Sequence, residues 1–240
     1  MKKVILIVII FSRFVFAGHP LVTDDVGTVG KKVIQMEITP EWYKSTHEND
    51  LNMPLVFTVG VFESLDLVAG MPYCFSECQY QSGWENINGF IDPSLELKWR
   101  FYRNDYVGVA VKSGFTIPFG DGSDERTSSY SGLILLSWEG ENVLIHNNFG
   151  LIYSEDNSTN QWNWVVSAGL ELPVGKKLNV VMDLVAERNT EPGNKIHPIY
   201  TVQGLQYMFN DNLVLDAGFK TGLNKAERAF VPMLGMTTTF

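Results

Sequence analysis

The sequence predicts an all-β protein: a single transmembrane, antiparallel, up-and-down β-barrel of about 12 strands. Three observations carry that expectation. The chain opens on an export signal, its dominant hydrophobic period is two residues, and its connections alternate between short and long.

Residues 1–17 read as a signal peptide. Lys2 and Lys3 form a basic start, Val4 to Ile10 is a continuous apolar run, and Val15-Phe16-Ala17 fits a signal-peptidase site, so the exported chain begins near Gly18. Ser12 and Arg13 interrupt the apolar region. The run falls short of the roughly 20 apolar residues a bilayer-spanning helix needs, which favours a cleaved signal over an anchor. Residues 18–31 form a leader, either a plug folded into the lumen or a flexible periplasmic segment, and residues 32–240 form the barrel.

Within 32–240 the alternation is read strand by strand. Ile34, Met36 and Ile38 alternate with Gln35, Glu37 and Thr39, and Leu55, Phe57, Val59 and Val61 with Val56, Thr58 and Gly60. Leu65, Leu67 and Ala69 alternate with Asp66, Val68 and Gly70. The clearest case sets Leu95, Leu97, Trp99 and Phe101 against Ser94, Glu96, Lys98 and Arg100, one face apolar and the other polar, as a strand between lipid and water requires. Val107 to Ile117, Trp162 to Leu172, Leu178 to Glu187, Leu213 to Lys220 and Phe230 to Phe240 repeat the pattern. Tyr130 to Trp138, Val143 to Tyr153 and Ile199 to Phe209 are less regular and are read as strands by length and spacing. No stretch after residue 17 is long and apolar enough for a membrane helix.

The connections Phe62–Ser64, Arg103–Asp105, Gly140–Asn142, Pro173–Lys177 and Asn210–Asn212 are short. Between them fall longer polar loops at Lys44–Asn52, Cys74–Asn88, Phe119–Ser128 and Arg188–His197. Short periplasmic turns alternating with long external loops mark an outer-membrane barrel, whereas a soluble sandwich has no reason for the asymmetry. Aromatic residues gather at strand ends, Tyr73, Tyr130, Tyr153, Trp162 and Phe230 toward the loops and Phe62, Trp99, Trp138, Phe209 and Phe240 toward the turns, as two interfacial girdles would. The terminal Phe240, on one face with Met236, resembles the signal by which such barrels are recognised for assembly, so outer-membrane lipid and the barrel assembly machinery are the expected partners.

The full chain carries a net charge of -9, and since residues 1–17 hold three bases and no acid, export leaves -12. Such acidity without a basic stripe argues against a nucleic-acid partner. The two cysteines, Cys74 and Cys78, are too few for a structural zinc site and are read as a small loop disulfide or as two thiols. No cofactor and no metal are expected; the acidic stretch Asp121 to Glu125 lacks the ligand spacing of a calcium loop.

The stretch Pro20-Leu21-Val22-Thr23-Asp24-Asp25-Val26-Gly27-Thr28 followed by Gly30-Lys31-Lys32 resembles the N-terminal signature of a bacterial outer-membrane family assigned to the meta-pathway of phenol degradation and often labelled simply as transporters. Gly60 to Leu67, Gly89 to Phe101 and Asn210 to Gly218 are similar to it as well, while Cys-Phe-Ser-Glu-Cys is not part of that pattern. The resemblance implies a barrel at the outer membrane and uptake of small hydrophobic or aromatic compounds, and it brings no catalytic residues.

The polar parity is expected to face inward, which nominates Glu37, Asp66, Glu96, Lys98, Arg100, Lys112, Glu171, Asp183, Glu187, Asp216 and Lys220 as lumen residues. They either pair across a narrow lumen and fill it or form a constriction selecting solutes. Asp24 and Asp25 are the candidate plug residues, with Lys98, Arg100 or Lys112 as partners. A small-solute channel or transporter is therefore expected, with a sealed, partner-binding barrel as the alternative. A minor third reading, an envelope lipid hydrolase, would rest on His146 with Asn147 or Asn148 and Ser167.

Overall fold

The computed structural model describes residues 19–44, 48–80, 83–119, 127–227 and 230–240. The signal segment, Gly18, His47 and the acidic stretch Asp121 to Glu125 lie outside the described residues, as do the side chains of 48, 77–80 and 83–87.

In chain order the strands are β1 (Ile34–Ile38), β2 (Glu41–Lys44), β3 (Glu48–Met53), β4 (Leu55–Phe62), β5 (Leu65–Gly70), β6 (Tyr73–Tyr80), β7 (Gly83–Phe90) and β8 (Ser94–Arg103). They continue as β9 (Val107–Thr116), β10 (Ser129–Glu139), β11 (Leu144–Ser154), β12 (Trp162–Val174), β13 (Leu178–Glu187), β14 (Ile199–Asn210), β15 (Leu213–Gly222) and β16 (Phe230–Thr239). Twelve of these, β1-β4-β5-β8 and then β9 through β16 in sequence, pair antiparallel into one sheet, and β1 pairs β16 to close it. The seam runs from Gln35–Thr239 to Ile38–Met236. Phe240 extends it by donating its N–H to Ile34 O at 2.8 Å and accepting from Ile34 N at 3.3 Å. Closure removes the unpaired edge that lipid cannot solvate.

Two expected loops are instead strands. The described residues of 44–52 and 74–88 continue the ladder as β2–β3, from Glu41–Asn52 to Lys44–Asn49, and as β6–β7, beginning at Tyr73–Phe90. The physical reason is cross-strand pairing, which polar strands make as well as apolar ones, with Trp42 Nε1 donating to Asn49 Oδ1 at 2.7 Å and Tyr73 set edge-on to Phe90 at 5.0 Å. What divides these segments from the wall is proline. Pro40, Pro54, Pro72 and Pro93 fall at the four junctions. Each removes a ladder donor, yet each carbonyl still accepts from a neighbouring strand: Leu234 N to Pro40 O, Thr39 N to Pro54 O, Ile91 N to Pro72 O and Ile117 N to Pro93 O.

The strand assignment also corrects the disulfide expectation. Cys74 and Cys78 lie on one strand, β6. At about 3.3 Å per residue their Cα atoms stand roughly 13 Å apart, well beyond the roughly 7 Å a disulfide spans.

Parity is sharp along the wall. On β13, Met182 and Leu184 are 47% and 51% exposed, while Val181, Asp183 and Val185 are buried inside. The aromatic girdles are visible as ring contacts on the outer face, Tyr130 to Tyr153 and Tyr153 to Trp162 at the loop end and Trp99 to Phe101 at the turn end. The interior is not uniformly polar. Val185, Tyr200, Val202 and Met233 form one apolar cluster, and Val26, Ala110 and Leu135 a second.

Candidate functional site

The interior is organised around residues 19–30, which run around the inner wall as a hoop. Each turn of the hoop meets a different strand. The His19 carbonyl accepts from Gln206 Nε2 on β14 at 2.6 Å. Asp183 on β13 accepts the backbone N–H groups of Val22 and Thr23 at 2.7 Å each, and the Thr23 hydroxyl as well. Asn148 on β11, with its amide turned to satisfy both groups, donates to Asp24 O at 2.8 Å and accepts from Asp24 N at 2.7 Å. Val26 N–H donates to Ser137 Oγ on β10 at 3.1 Å, and Val29 N–H to Asp66 Oδ2 on β5 at 3.0 Å. A chain without secondary structure of its own is thus satisfied by inward side chains, as a buried backbone must be.

Its charged centre is Asp24. One carboxylate oxygen takes Lys98 Nζ at 2.8 Å and the other takes Lys112 Nζ at 3.2 Å. Lys98 also reaches Asp25 at 3.2 Å, and Lys112 reaches Glu96 at 2.9 Å. Burial alone would raise the Asp24 carboxyl, but the two ammonium groups hold it well below the usual carboxylate range.

Close approach needs missing side chains. An added Cβ on Gly60 of β4 would stand 1.7 Å from the Gly30 carbonyl oxygen, and one on Gly108 of β9 would stand 2.3 Å from Val26 Cγ2. Only glycine admits the hoop at these points.

Of the nominated lumen residues, the structure brings Asp66, Glu96, Lys98, Lys112 and Asp183 to the hoop or to its partners. Glu37 lies 3.5 Å from His19. Glu171 faces His146 at 3.4 Å, and Asp216 is buried against Gly235. Three stand elsewhere. Arg100 does not reach Asp24 or Asp25; its guanidinium donates to Glu63 O at 2.8 Å at the β4–β5 turn, because its position on β8 is one inward step nearer the turns than Lys98. Lys220 is at the loop end, 3.1 Å from Glu227 and 4.3 Å above the Tyr200 ring, and Glu187 lies near it.

The hydrolase set is not assembled. Ser137 Oγ lies 2.7 Å from His146 Nδ1, and Nε2 faces Glu171, so neither ring nitrogen is aimed at Ser167, which pairs across from Asn148. Ser137, His146 and Glu171 supply the residue types of a nucleophilic triad. However, all three are buried and the serine oxygen already accepts from Val26, so no substrate carbonyl has access.

Beside the hoop a cavity of about 840 Å³ follows the β1, β4, β5 and β16 side of the wall. Its lining extends from Tyr200, Lys220 and Met233 at the loop end to Asn212 and Phe240 at the turn end. A second, outer cavity of about 1050 Å³ opens between β2 and β16, lined by Trp42, Asp50, Lys220 and Phe230 among others.

Residues 22–240 match the family described as "Putative MetA-pathway of phenol degradation". The chain belongs to this family. No curated protein matches the sequence. Among solved structures, the family's fold is shared with a COG4313 outer membrane channel from Pseudomonas putida F1, at TM-score 0.77 and 10% identity over 90% of this chain and 98% of that one. The KdgM porin bound to disordered oligogalacturonate gives TM-score 0.62 and 10% identity, covering 86% and 99%. The CymD monoaromatic hydrocarbon channel gives 0.55 and 10%, covering 88% and 89%. At such identity the likeness is one of fold, and the fold shared is that of outer-membrane channels and porins.

Proposed function

We propose that the protein is an outer-membrane channel for small solutes, hydrophobic or aromatic ones among them, whose path runs beside the leader hoop. The observation that carries this reading is the cavity between the hoop and the β1–β4–β5–β16 wall. Its lining mixes apolar and charged groups. Near the loop end Tyr200, Val202 and Met233 line it together with Glu41 and Lys220, and deeper in it is bordered by Glu96, Lys98, Lys112 and Asp24. Such a mixed lining suits a small aromatic molecule with a polar edge, which can exchange contacts as it descends. The outer aromatic girdles support placement in a membrane, and the kinship with the CymD channel supports the solute class. The terminal strand is proposed to be read by the assembly machinery through Phe240, which is 72% exposed.

The test is single-channel conductance of the refolded protein in planar bilayers, followed by liposome swelling with phenol-like solutes. Discrete conductance steps that change on Lys98→Glu, together with entry of phenols, are the expected result. A folded barrel that passes neither ions nor phenols would overturn the proposal and leave a sealed, partner-binding barrel.

A further inference from the structure

The lining of the inner cavity is unbalanced in charge. The lysines among its described lining residues are already taken. Lys98 and Lys112 are held within 3.2 Å by Asp24, Asp25 and Glu96. Lys220 lies 3.1 Å from Glu227 and 4.3 Å above the Tyr200 ring. Glu37, Glu41, Asp66 and Asp211 line the same cavity, and among the described residues no lysine or arginine forms an ion pair with any of them. Glu37 has the His19 ring at 3.5 Å and accepts from the Gln35 amide at 2.6 Å.

Two of these carboxylates stand where a passing solute meets them. Asp66, on β5 near the turn end, is 1% exposed. One of its oxygens accepts the Val29 N–H at 3.0 Å, and the other has no hydrogen-bond partner among the described residues. Lys98 is its opposite number on β8, but that ammonium is turned to Asp24 and Asp25 on the hoop. Arg100, the next cation along β8, donates to Glu63 O instead. A buried carboxylate oxygen left without a donor is costly, so it favours whatever brings a positive charge or a donor into the cavity. At the loop end, Glu41 on β2 lines both the inner and the outer cavity, so a solute moving between them passes its carboxylate. Uncompensated charges of one sign, set in low-dielectric walls, fix the potential along a narrow path.

We infer, on the basis of the channel reading, that the path selects its solutes by charge. It favours those carrying an ammonium group, passes neutral ones and holds back those carrying a carboxylate, with Glu41 and Asp66 as the determining side chains. A ring bearing an ammonium group gains from each carboxylate as it descends. A ring bearing a carboxylate meets like charge at both and finds the lysines occupied. To pair with Lys98 or Lys112 it must first displace Asp24, Asp25 or Glu96, and that strands a buried charge.

The test is the reversal potential of the refolded barrel in planar bilayers at about pH 8, well above the ordinary carboxylate range. In a KCl gradient, K⁺ is expected to be preferred over Cl⁻ by about tenfold. Benzylammonium chloride or potassium benzoate then replaces KCl on one side, and benzylammonium is expected to permeate about tenfold better than benzoate. Glu41→Gln and Asp66→Asn are each expected to lower both preferences by about twofold, and Glu41→Lys to lower them further. Asp66→Asn keeps an oxygen for the Val29 N–H, and heat-modifiable mobility reports whether each variant folds. Glu155→Gln, at an exposed residue lining neither cavity, is expected to change nothing. Equal permeation of benzylammonium and benzoate, an anion preference, or a cation preference that survives both neutralisations overturns the inference and leaves the channel standing. A folded barrel that carries no current with any of these salts and admits no phenols overturns the channel reading, and charge selection falls with it.

Discussion

At the scale of the residue, the lumen is governed by partners rather than by net charge. Lys98 and Asp24 are both mostly buried, with side-chain exposures of 10% and 25%, and removing one partner strands the other. Lys98→Met is expected to destabilise the hoop by about 2–3 kcal/mol, below the range of about 3–5 kcal/mol for breaking a fully buried pair because Asp24 keeps Lys112 and some water. A double-mutant cycle with Asp24→Asn checks this: the double variant should lose clearly less than the sum of the singles, and strict additivity would mean the pair is not coupled. The same carboxyl sets the pH response. Its depressed pKa means that its contribution is present above the ordinary aspartate range, near pH 4, and is lost only as pH falls through the lowered value. Protection of residues 19–30 from proteolysis should therefore persist at pH 4 and fail only in stronger acid, and Asp24→Asn should remove that acid limb. Release already near pH 5 would show that another group controls the docking of the hoop.

At the scale of the element, alternation gave away the wall wherever inward residues were polar and outward ones apolar, which is why β8 was legible almost residue by residue. The three irregular runs are β10, β11 and β14, and they hold the hoop's unforeseen anchors Ser137, Asn148 and Gln206. On β10 and β14 the inward face mixes anchors with Leu133, Leu135, Tyr200 and Val202, which pack against the hoop or one another, so period two blurs where the lumen is filled. Inward glycines such as Gly60 and Gly108 gave no signal alone, since their meaning lies in the chain that passes over them. The mistaken loops have a different cause. Polar, proline-flanked segments read as loops, whereas each proline removes one donor and leaves the ladder running. Thr39 N–H donates to Pro54 O, and Pro54 has no N–H to return. Pro54→Ala is expected to restore that bond, worth about 0.5–1.5 kcal/mol, and to slow amide exchange in β3. Unchanged or faster exchange would mean that the interruption does not come from the missing donor.

At the scale of the whole molecule, about eight strands give a barrel filled by its own side chains and 16–18 leave an open aqueous pore, so twelve strands enclose more space than wall side chains fill and less than a porin. Here the surplus is taken up by a segment of the same chain, bound by side chains from β5, β8, β9, β10, β11, β13 and β14. Because strand pairing runs right round the wall and the β1–β16 seam closes it, the hoop is not needed to complete the sheet. Deleting residues 19–30 should accordingly leave a barrel that still shows heat-modifiable mobility but is less stable, since Lys98, Asp183 and Ser137 lose their partners to water. Its conductance should rise severalfold over the full chain, and Lys98→Glu, which is expected to alter conductance in the full chain, should then alter it less because the passage no longer narrows between Lys98 and Asp24. Gly60→Ala offers a more local version, displacing the Val29–Gly30 end of the hoop, and should give an intermediate conductance. If the deletion variant folds and conducts no better than the full chain, the limiting constriction lies in the wall itself, and the hoop serves stability rather than selectivity.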